Sequence, residues 1–475
     1  MVLEITPRIR EESDIPLYRQ LYQYFREEIQ AGRMQSGSRL PSVRGLAQQI
    51  NISKTTVELA YHQLLAEGYI ESRERSGFYV VEVDAFLEED EAQPQVFEST
   101  AVPVDEQTFR YDFHMARIDL DYFPFAIWRK FSNQVLRPES KELFLYGDRQ
   151  GELGLRVQIA RYLHQARGVD CKPEQIVIAA GTQLAILLIC QMIGMNGQAV
   201  AMEEPGYQDV RQTFLQFGFQ VKPISLEEDG LDVEELRASG ARVVYVTPSH
   251  QETLGMVMPY AKRMKLLQWA EETNSLILED DYDGEFRYRG KPIPSLQSLD
   301  KRGNVIYMGT FSKSLLPAIR LSYMVLPPQL AEKFREQSML FDQTVSRLHQ
   351  KTLELFMASG EWERHIRKMR VIYQKKHEIM LQAIKQSFGE HVAVTGQGAG
   401  LSITLEVYSH KSAEELVELA RQAGIRVFST DRKWMNPPAG RLPTFQLGFG
   451  GIPLEEIEQS VQQLAQVWSP YFIQS

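Results

Sequence analysis

The chain has 475 residues, 43% of them hydrophobic, and a net charge of −10 at pH 7, so it is long enough for more than one globular domain. The acidity argues against a protein that binds nucleic acid over its whole surface, but it allows one locally basic face. The sequence contains no run of about 18 apolar residues that predicts a membrane span, and its two cysteines are typical of a reducing compartment. We therefore expect a multidomain cytoplasmic protein.

Residues 1–80 carry the pattern of a small DNA-binding domain. Apolar residues spaced four apart predict a helix over 16–30, and Ser42 and Ser53 are placed to cap two further helices that a short turn separates. Strand-like segments at 69–71 and 77–80 then surround a basic turn. Helices joined by a short turn and followed by a hairpin predict a winged helix-turn-helix.

The exposed start of the third helix is the predicted DNA-facing surface of this domain. Ser53, Lys54, Thr55 and Thr56 offer hydroxyl groups and a cation that suit phosphates and base edges in the major groove. Residues 29–57 contain several basic side chains and no acidic one. A helical domain that binds another protein is the alternative.

Residues 81–107 are predicted to be a linker, and residues 108–475 to form the body. The linker sequence has an acidic run, scattered prolines and no periodicity, which favours an extended tether. A loop packed within one domain is the alternative. In the body, apolar strand-like runs alternate with helical patterns, as in an open α/β sheet.

Three of these strand-like runs end in residues that suit a cofactor. After the strand at 175–180, the sequence Gly181-Thr182-Gln183 opens a helix, and backbone N–H groups at a helix start favour phosphate. After the strand at 276–279, Asp280 could pair with a pyridinium nitrogen and Tyr282 could reach a hydroxyl group on the same ring. The alternative for residues 181–183 is a plain connecting turn. The alternative for residues 279–283 is a solvated acidic loop or a metal site.

The third run, residues 305–308, ends at Gly309 and leads to a lone lysine, Lys313. A lysine is rarely buried without a partner, and a Schiff base with an aldehyde explains one in such a position. Thr310, Ser312 and Arg320 could hold a phosphate on the same molecule. A surface lysine in a strand-to-helix loop is the alternative.

Residues 279–283 and 309–317, with Arg320, resemble the site of fold-type-I aminotransferases, and more closely that of MocR/GabR-type transcription regulators. Residues 40–47 and 64–70 resemble GntR-type winged helices. The resemblance implies an α/β body with a mixed, mostly parallel seven-stranded sheet and a small α+β domain. It also implies pyridoxal 5'-phosphate (PLP) as the cofactor, bound to Lys313, with no metal.

The resemblance also implies roles for individual residues. Asp280 would hold the pyridine nitrogen, Tyr207 would stack on the ring, and Tyr282 and His250 would contact its 3-hydroxyl group. The phosphate would be held by Gly181, Thr182, Gln183, Thr310, Ser312 and Arg320, with Tyr146 reaching the phosphate, often that of the partner subunit. Phe123, Pro124 and Trp128 would line the pocket, and Arg44, Ser53, Lys54, Thr55, Thr56 and the wing near Gly77 would contact operator DNA.

The residues expected to bind the effector depart from the family pattern. The arginine that often precedes a Leu-Gly-Phe run in the family is Gln446 here, and an arginine of GABA-sensing relatives is Asp209. GABA is therefore not the expected effector. Arg432 is the candidate for gripping an effector carboxylate, and Arg117 could compensate.

These observations predict a PLP-dependent, DNA-binding transcription regulator that senses an amino acid or amine through an external aldimine. The resemblance implies a head-to-tail homodimer bound to double-stranded operator DNA. Two alternatives stay open: a true aminotransferase with an accessory domain, and a sensor of free PLP. Physiological turnover is not expected, because a metabolic enzyme has no need of a DNA-binding head.

Overall fold

The computed structural model describes residues 15–73, 76–82, 109–194, 197–288, 293–337 and 342–473. The chain divides into two compact units, residues 1–106 and 107–475. Most of the predicted linker, from residue 83 onward, lies outside the described residues. No helix in the described ranges is long and apolar enough to cross a membrane.

The first unit is a winged helix-turn-helix, as the sequence predicts. Its elements are α1 (Leu17–Gln30), α2 (Val43–Gln49), α3 (Lys54–Ala66), β1 (Ile70–Arg73) and β2 (Gly77–Val80). The strands are antiparallel, with Ile70 opposite Val80. The side chains of Ser42 and Ser53 accept hydrogen bonds from Gly45 N and Thr56 N, so each serine caps the helix that follows it.

The core of this unit forms where the apolar stripes of α1 and α3 meet. Phe25 and Tyr61 are fully buried and pack edge to face with ring centroids 5.5 Å apart. Tyr61 also packs against Phe78 of the wing at 5.2 Å. The wing is thereby fixed to the helices, so the start of α3 and the hairpin belong to one rigid surface.

The second unit is the body. Its helices are α4 (Phe125–Val135), α5 (Leu153–Arg167), α6 (Thr182–Ile193), α7 (Gln208–Gln216), α8 (Val233–Ala238), α9 (Tyr260–Thr273), α10 (Leu296–Leu299), α11 (Pro328–Gln337), α12 (Arg347–Ala358), α13 (Glu361–Phe388), α14 (Ala413–Gln422) and α15 (Ile457–Trp468). Its strands are β3 (Tyr111–Asp112), β4 (Ile176–Ala179), β5 (Ala199–Glu204), β6 (Gln220–Glu227), β7 (Gly230–Leu231), β8 (Val243–Val246), β9 (Leu276–Asp281), β10 (Val305–Thr310), β11 (Ser322–Val325), β12 (Val392–Thr395), β13 (Ser402–Val407), β14 (Ile425–Arg426), β15 (Phe428–Ser429) and β16 (Thr444–Gly448).

The main sheet is mixed and mostly parallel, in the order β4-β11-β10-β9-β8-β5-β6-β7. Strands β10, β9, β8, β5 and β6 are parallel neighbours, whereas β11 and β7 run antiparallel to the strands they pair with. The sheet has eight strands rather than the seven expected, because a two-residue strand, β7, folds back as a hairpin on the end of β6. Helices cover both faces, which is why most strands are buried throughout.

The small α+β part is a four-stranded antiparallel sheet in the order β12-β13-β16-β15. Its core includes Trp468 from α15, which packs against Phe445 at 4.6 Å between ring centroids. The long helix α13 ends at Phe388 and leads directly into this sheet. The segment before α4 also belongs here, because β3 pairs with β14.

The register of two central strands brings the predicted site residues together. In the parallel pair β9 and β10, Asp280 is opposite Met308 and Asp281 is opposite Gly309. Parallel strands end at the same edge of a sheet. The acids that follow β9 and the lysine loop that follows β10 therefore open onto one edge.

Candidate functional site

A cavity of about 370 Å³ lies at this edge of the body. It brings together ten of the predicted cofactor residues: Gly181, Thr182, Gln183, Tyr207, Asp280, Tyr282, Thr310, Ser312, Lys313 and Arg320. The remaining lining residues are His114, Met115, Ala116, Gln208, Asp209, Glu252, Pro317 and Lys433. A volume of this size suits a small ligand held largely within the protein.

Lys313 lies on the loop after β10 and is partly buried. Its Nζ donates a hydrogen bond to the backbone carbonyl of Met115 and lies 5.9 Å from the centre of the Tyr282 ring. Burial lowers the pKa of Lys313 below the usual lysine value. A larger share of the amine is then neutral at a given pH, and only the neutral amine is a nucleophile.

Asp280 is almost fully buried, at 2% exposure. Burial raises its pKa to about 7, opposed by a hydrogen bond of 2.6 Å that the Tyr245 hydroxyl donates to its carboxylate. Near neutral pH this side chain can hold or release a proton. It is therefore suited to share one with a heteroaromatic nitrogen.

The neighbouring carboxylate, Asp281, holds the end of β9 in place. Its Oδ2 accepts hydrogen bonds of 2.6 Å from both Arg167 Nε and Tyr307 Oη. Arg167 also donates to the Ser249 hydroxyl at 2.7 Å. This buried network lies outside the cavity wall, so Asp281 supports Asp280 from behind and does not face a ligand.

The opposite end of the cavity is suited to an anion. Gly181 has φ +98°, and a Cβ added there would overlap the Arg320 guanidinium. Arg320 thus lies against the N-terminus of α6, where backbone N–H groups and the helix dipole favour negative charge. Thr310 and Ser312 lie on the same side, with their hydroxyl oxygens 3.0 Å apart. Among the described residues Arg320 has no carboxylate partner, so its charge is available to a phosphate.

Tyr282 and His250 form a pair, but only the tyrosine reaches the cavity. The Tyr282 hydroxyl donates to the His250 carbonyl and lies 3.0 Å from its Nδ1. His250 Nδ1 is also 2.9 Å from Asp283 Oδ2, and the ring is buried. His250 therefore lies behind Tyr282. It could influence a ligand only through its contact with the Tyr282 hydroxyl group.

Besides His250, three further predicted ligand-binding side chains lie outside this cavity. Arg432 is exposed, because a short helical turn over 431–433 points the next residue, Lys433, inward instead. Arg117 pairs with Asp112 at 3.2 Å and lines a separate cavity. Tyr146 is 93% exposed and does not line the cavity of its own chain.

The residues predicted to line the pocket before α4 also differ from those that line the cavity in the structure. Phe123 and Pro124 line a different surface cavity, and Trp128 packs against Phe356. His114, Met115 and Ala116 take their place at the site. The chain there is fixed by a backbone hydrogen bond of 2.9 Å from Gly448 N to Phe113 O, a long-range contact with no local sequence signal.

Sequence reasoning missed two charged side chains of the wall, Glu252 and Lys433. Lys433 Nζ lies 2.6 Å from Glu252 Oε1 and 2.6 Å from the Gln446 side-chain oxygen. Glu252 follows β8 at the same sheet edge as the other site residues, and this position is a signal that could have identified it. The inward direction of Lys433 depends on tertiary contacts and has no such signal.

The winged-helix unit presents a polar surface at the start of α3. Arg44, Lys54 and Thr55 are exposed. Ser53 and Thr56 bond to each other through their hydroxyl groups at 2.7 Å, since Ser53 caps the helix. The available groups are therefore mainly Arg44, Lys54 and Thr55.

The wing turns at Gly77, which has φ +112°. A Cβ added there would lie 3.3 Å from Arg39 Nε. Arg39 also forms a β-bridge with Tyr79 of the wing. The turn is thus packed against a cation, which adds positive charge beside the predicted DNA-facing surface.

Comparison with known proteins gives matches to both units. The aminotransferase class I and II family matches residues 119–442, and the bacterial regulatory protein gntR family matches residues 17–80. The uncharacterised HTH-type transcriptional regulator YdeL of Bacillus subtilis (strain 168) is 43% identical over 98% of this chain and 100% of its own length. The probable rhizopine catabolism regulatory protein MocR of Rhizobium meliloti is 33% identical, covering 95% of this chain and 94% of its own.

The body is also similar to solved enzyme structures. The crystal structure of an archaeal alanine:glyoxylate aminotransferase superposes with a TM-score of 0.71 and 25% identity. The match covers 76% of this chain and 91% of that chain.

Proposed function

We propose that this chain, which belongs to the MocR-type family of GntR transcription regulators with an aminotransferase class I and II body, binds PLP at Lys313 and senses a small amine or amino acid there. The observation that supports the proposal most strongly is that Lys313 and Asp280 lie in the same cavity. They lie at the ends of adjacent parallel strands, in one cavity, with Arg320 at its anionic end. These three side chains match the aldehyde, the ring nitrogen and the phosphate of PLP.

Each group of the cofactor would have its own set of residues. When bound, PLP supplies an aldehyde that condenses with primary amines and a ring that withdraws electrons. Asp280 would hold a proton at the ring nitrogen, while Tyr207 and Tyr282 would contact the ring and its hydroxyl group. The phosphate would be held by Gly181, Thr182, Gln183, Thr310, Ser312 and Arg320.

The Lys313–Met115 hydrogen bond suggests how occupancy could reach the DNA-binding unit. An effector amine would take the place of the Lys313 amine at the cofactor, and the lysine then has the Met115 carbonyl as a partner. Met115 lies only a few residues after the predicted linker, which ends at 107. A change in this contact would act directly on the segment through which the body is joined to the DNA-binding unit.

We further propose that the protein is a homodimer in a head-to-tail arrangement. Large apolar side chains are exposed along α4, the segment after it and the start of α5, and such exposure favours a protein contact: Phe125, Leu136, Phe144, Leu145, Tyr146 and Leu153. Tyr146 would then reach the phosphate in the partner's cavity. A dimer also supplies paired DNA-binding units for paired half-sites in operator DNA.

The test is a visible spectrum followed by chemical trapping. We expect the purified protein with PLP to develop an absorption band at roughly 420 nm. Borohydride reduction followed by peptide mapping is expected to place the phosphopyridoxyl group on Lys313. Lys313→Ala should lose the band. The control, Lys375→Ala, removes an exposed lysine and should keep it.

The same material tests the regulatory part of the proposal. Operator fragments selected from random duplexes by the full-length protein are expected to be retained differently with and without an amine that changes the spectrum. Absence of PLP binding by the wild-type protein would overturn the proposal. Sustained production of a keto acid would instead favour the aminotransferase alternative, and a DNA response to PLP alone would favour a sensor of the free cofactor.

A further inference from the structure

The wall of the cavity beside Lys313 is formed by the ion pair Lys433–Glu252. Lys433 Nζ lies 2.6 Å from Glu252 Oε1, and both side chains are largely buried. Both side chains line the same cavity as Lys313, the reacting amine of the proposed site. A ligand that reaches Lys313 therefore shares this cavity with the pair.

The pair is held by contacts that do not depend on a ligand. The backbone carbonyl of Lys433 accepts hydrogen bonds from Gly206 N at 3.1 Å and from Arg211 Nη1 at 2.9 Å. The Gln446 side chain accepts from Lys433 Nζ and donates to the Glu252 carbonyl, both at 2.6 Å. The wall is thus formed before any ligand arrives, and it is costly to rearrange.

The charges of the wall disfavour a carboxylate ligand. Among the described residues, the lysine and arginine side chains that line the cavity are Lys313, Arg320 and Lys433. The first is the reacting amine, and the second lies at the anionic end against Gly181. Within the described part of this chain, a carboxylate in the cavity could gain a further lysine or arginine partner only by taking Lys433 from Glu252, which would leave a buried carboxylate without its partner.

Two carboxylates of the cavity, those of Glu252 and Asp209, are open to hydrogen-bond donors of a ligand. Glu252 receives one hydrogen bond at Oε1 from Lys433 and one at Oε2 from the Thr253 hydroxyl, at 3.0 Å. A carboxylate can accept about four, so two positions are open. At the mouth of the cavity Asp209 adds a further exposed carboxylate. A ligand that donates hydrogen bonds fits these groups.

We infer that the effector of the proposed site is a primary amine without a carboxylate, whose far end donates hydrogen bonds through a hydroxyl group or a second ammonium group. This inference rests on the proposed function, because it assumes that an amine reacts where Lys313 lies. It narrows the effector from amino acids and amines in general to amino alcohols and diamines.

The experiment compares amines that differ only at the far end. Aminobutanol, diaminobutane and aminobutanoate, each with its groups at the two ends of the chain, are titrated into the PLP-loaded full-length protein, and the series is repeated with chains of two to six carbons. The readouts are the visible band and the thermal unfolding midpoint. At the best chain length, the alcohol or the diamine is expected to half-saturate at a concentration about tenfold or more below that of the carboxylate.

Glu252→Gln keeps the shape of the wall, removes its negative charge and leaves Lys433 without a counter-charge. We expect this variant to lose the preference or to reverse it in favour of the carboxylate series. Glu414→Gln, an exposed change in the small part of the body, is the control and should behave as the wild type. Both variants are first checked for the PLP band, so that a misfolded protein is recognised.

A failure of the proposed function and a failure of this inference alone give different results. If the wild-type protein forms no PLP band, or no amine changes it, the proposed function fails and the inference falls with it. If the band forms and carboxylate-bearing amines bind as tightly as or more tightly than the alcohols and diamines, the inference alone is overturned. An unchanged preference in Glu252→Gln also overturns it, because the wall would then not select the ligand.

Discussion

The hydroxyl group of Tyr245 donates a hydrogen bond of 2.6 Å to the carboxylate of Asp280, so the acid most deeply placed in the cavity has a fixed orientation. Tyr245 is itself buried on β8, the strand next to β9. One lone pair of Asp280 is thereby occupied by protein, and the rest of the carboxylate is directed by the sheet towards the cavity.

Asp280 should make the stability of the cofactor-free protein depend on pH. Its folded pKa is about 7, raised by burial above the usual aspartate value. Between those two values the folded state holds a proton that the unfolded state has lost. Stability therefore falls as pH rises towards 7, by up to about 1.4 kcal/mol per pH unit for one group.

Asp280→Asn is expected to reduce this slope without abolishing it. Burial also raises the pKa of Glu203 and of Glu285 to about 7, and both act with the same sign. Denaturant midpoints measured from pH 5 to 8 on cofactor-free protein check the prediction. A slope identical to that of the wild type would contradict it.

Lys313 should capture PLP at a lower pH than an exposed lysine. Burial lowers its pKa below 10.5, whereas the nearby charge of Glu252 acts to raise it. The rate of PLP binding, followed by stopped-flow absorbance, is expected to reach half its plateau below pH 10.5. In Glu252→Gln that midpoint should move to a still lower pH, and movement to a higher pH would contradict the assignment.

Gly181→Ala should damage the anion end of the cavity. The added Cβ would overlap the Arg320 guanidinium, in a backbone conformation with φ +98°. We expect PLP to bind about tenfold or more weakly, while pyridoxal, which has no phosphate, loses much less. Equilibrium titrations of both compounds provide the measurement.

The matched control for this prediction is Gly194→Ala, at the other end of α6. Gly194 has φ +90°, but a Cβ there meets nothing within 4 Å. It reproduces the backbone strain without the overlap. Equal losses of PLP affinity in the two variants would attribute the effect to strain and not to Arg320.

Lys54→Ala and Arg44→Ala should each weaken DNA binding and reduce its dependence on salt, since both side chains are exposed beside the start of α3. Arg19→Ala, which removes an exposed cation from α1, is the control and should retain binding. The measurement is DNA affinity across a salt series. Equal losses in all three variants would point to net charge and not to a defined surface.

Ser53→Ala tests the cap of α3 separately. Loss of the hydrogen bond from Thr56 N is expected to cost about 1 kcal/mol of stability. Thermal unfolding of the Ser53→Ala protein, compared with the wild type, measures this loss of stability. A variant with normal stability and lost DNA binding would instead assign Ser53 a direct DNA contact.

Sequence patterns predicted the parts of the molecule that local chemistry determines. The serine caps of α2 and α3, the buried strands and the winged helix follow from periodicity and capping, and these predictions are confirmed. The placement of Asp280 and Lys313 in one cavity follows from the rule that parallel strands open at one edge.

The effector end could not be predicted in the same way. Which of two adjacent basic residues, Arg432 or Lys433, points inward depends on Arg211, more than two hundred residues earlier in the chain. The position of Met115 depends likewise on a distant strand, β16. Contacts of this kind leave no periodic trace in a single sequence.

The segment 432–436 is joined to the large part of the body by several hydrogen bonds. Arg211 donates to the carbonyls of Arg432 and Lys433, and Glu204 accepts from the backbone N–H groups of Met435 and Asn436. A hinge movement between the small α+β part and the rest of the body would have to break these hydrogen bonds. The hydrogen bonds of this segment therefore hold Lys433, and with it one side of the cavity, in a fixed position relative to α7.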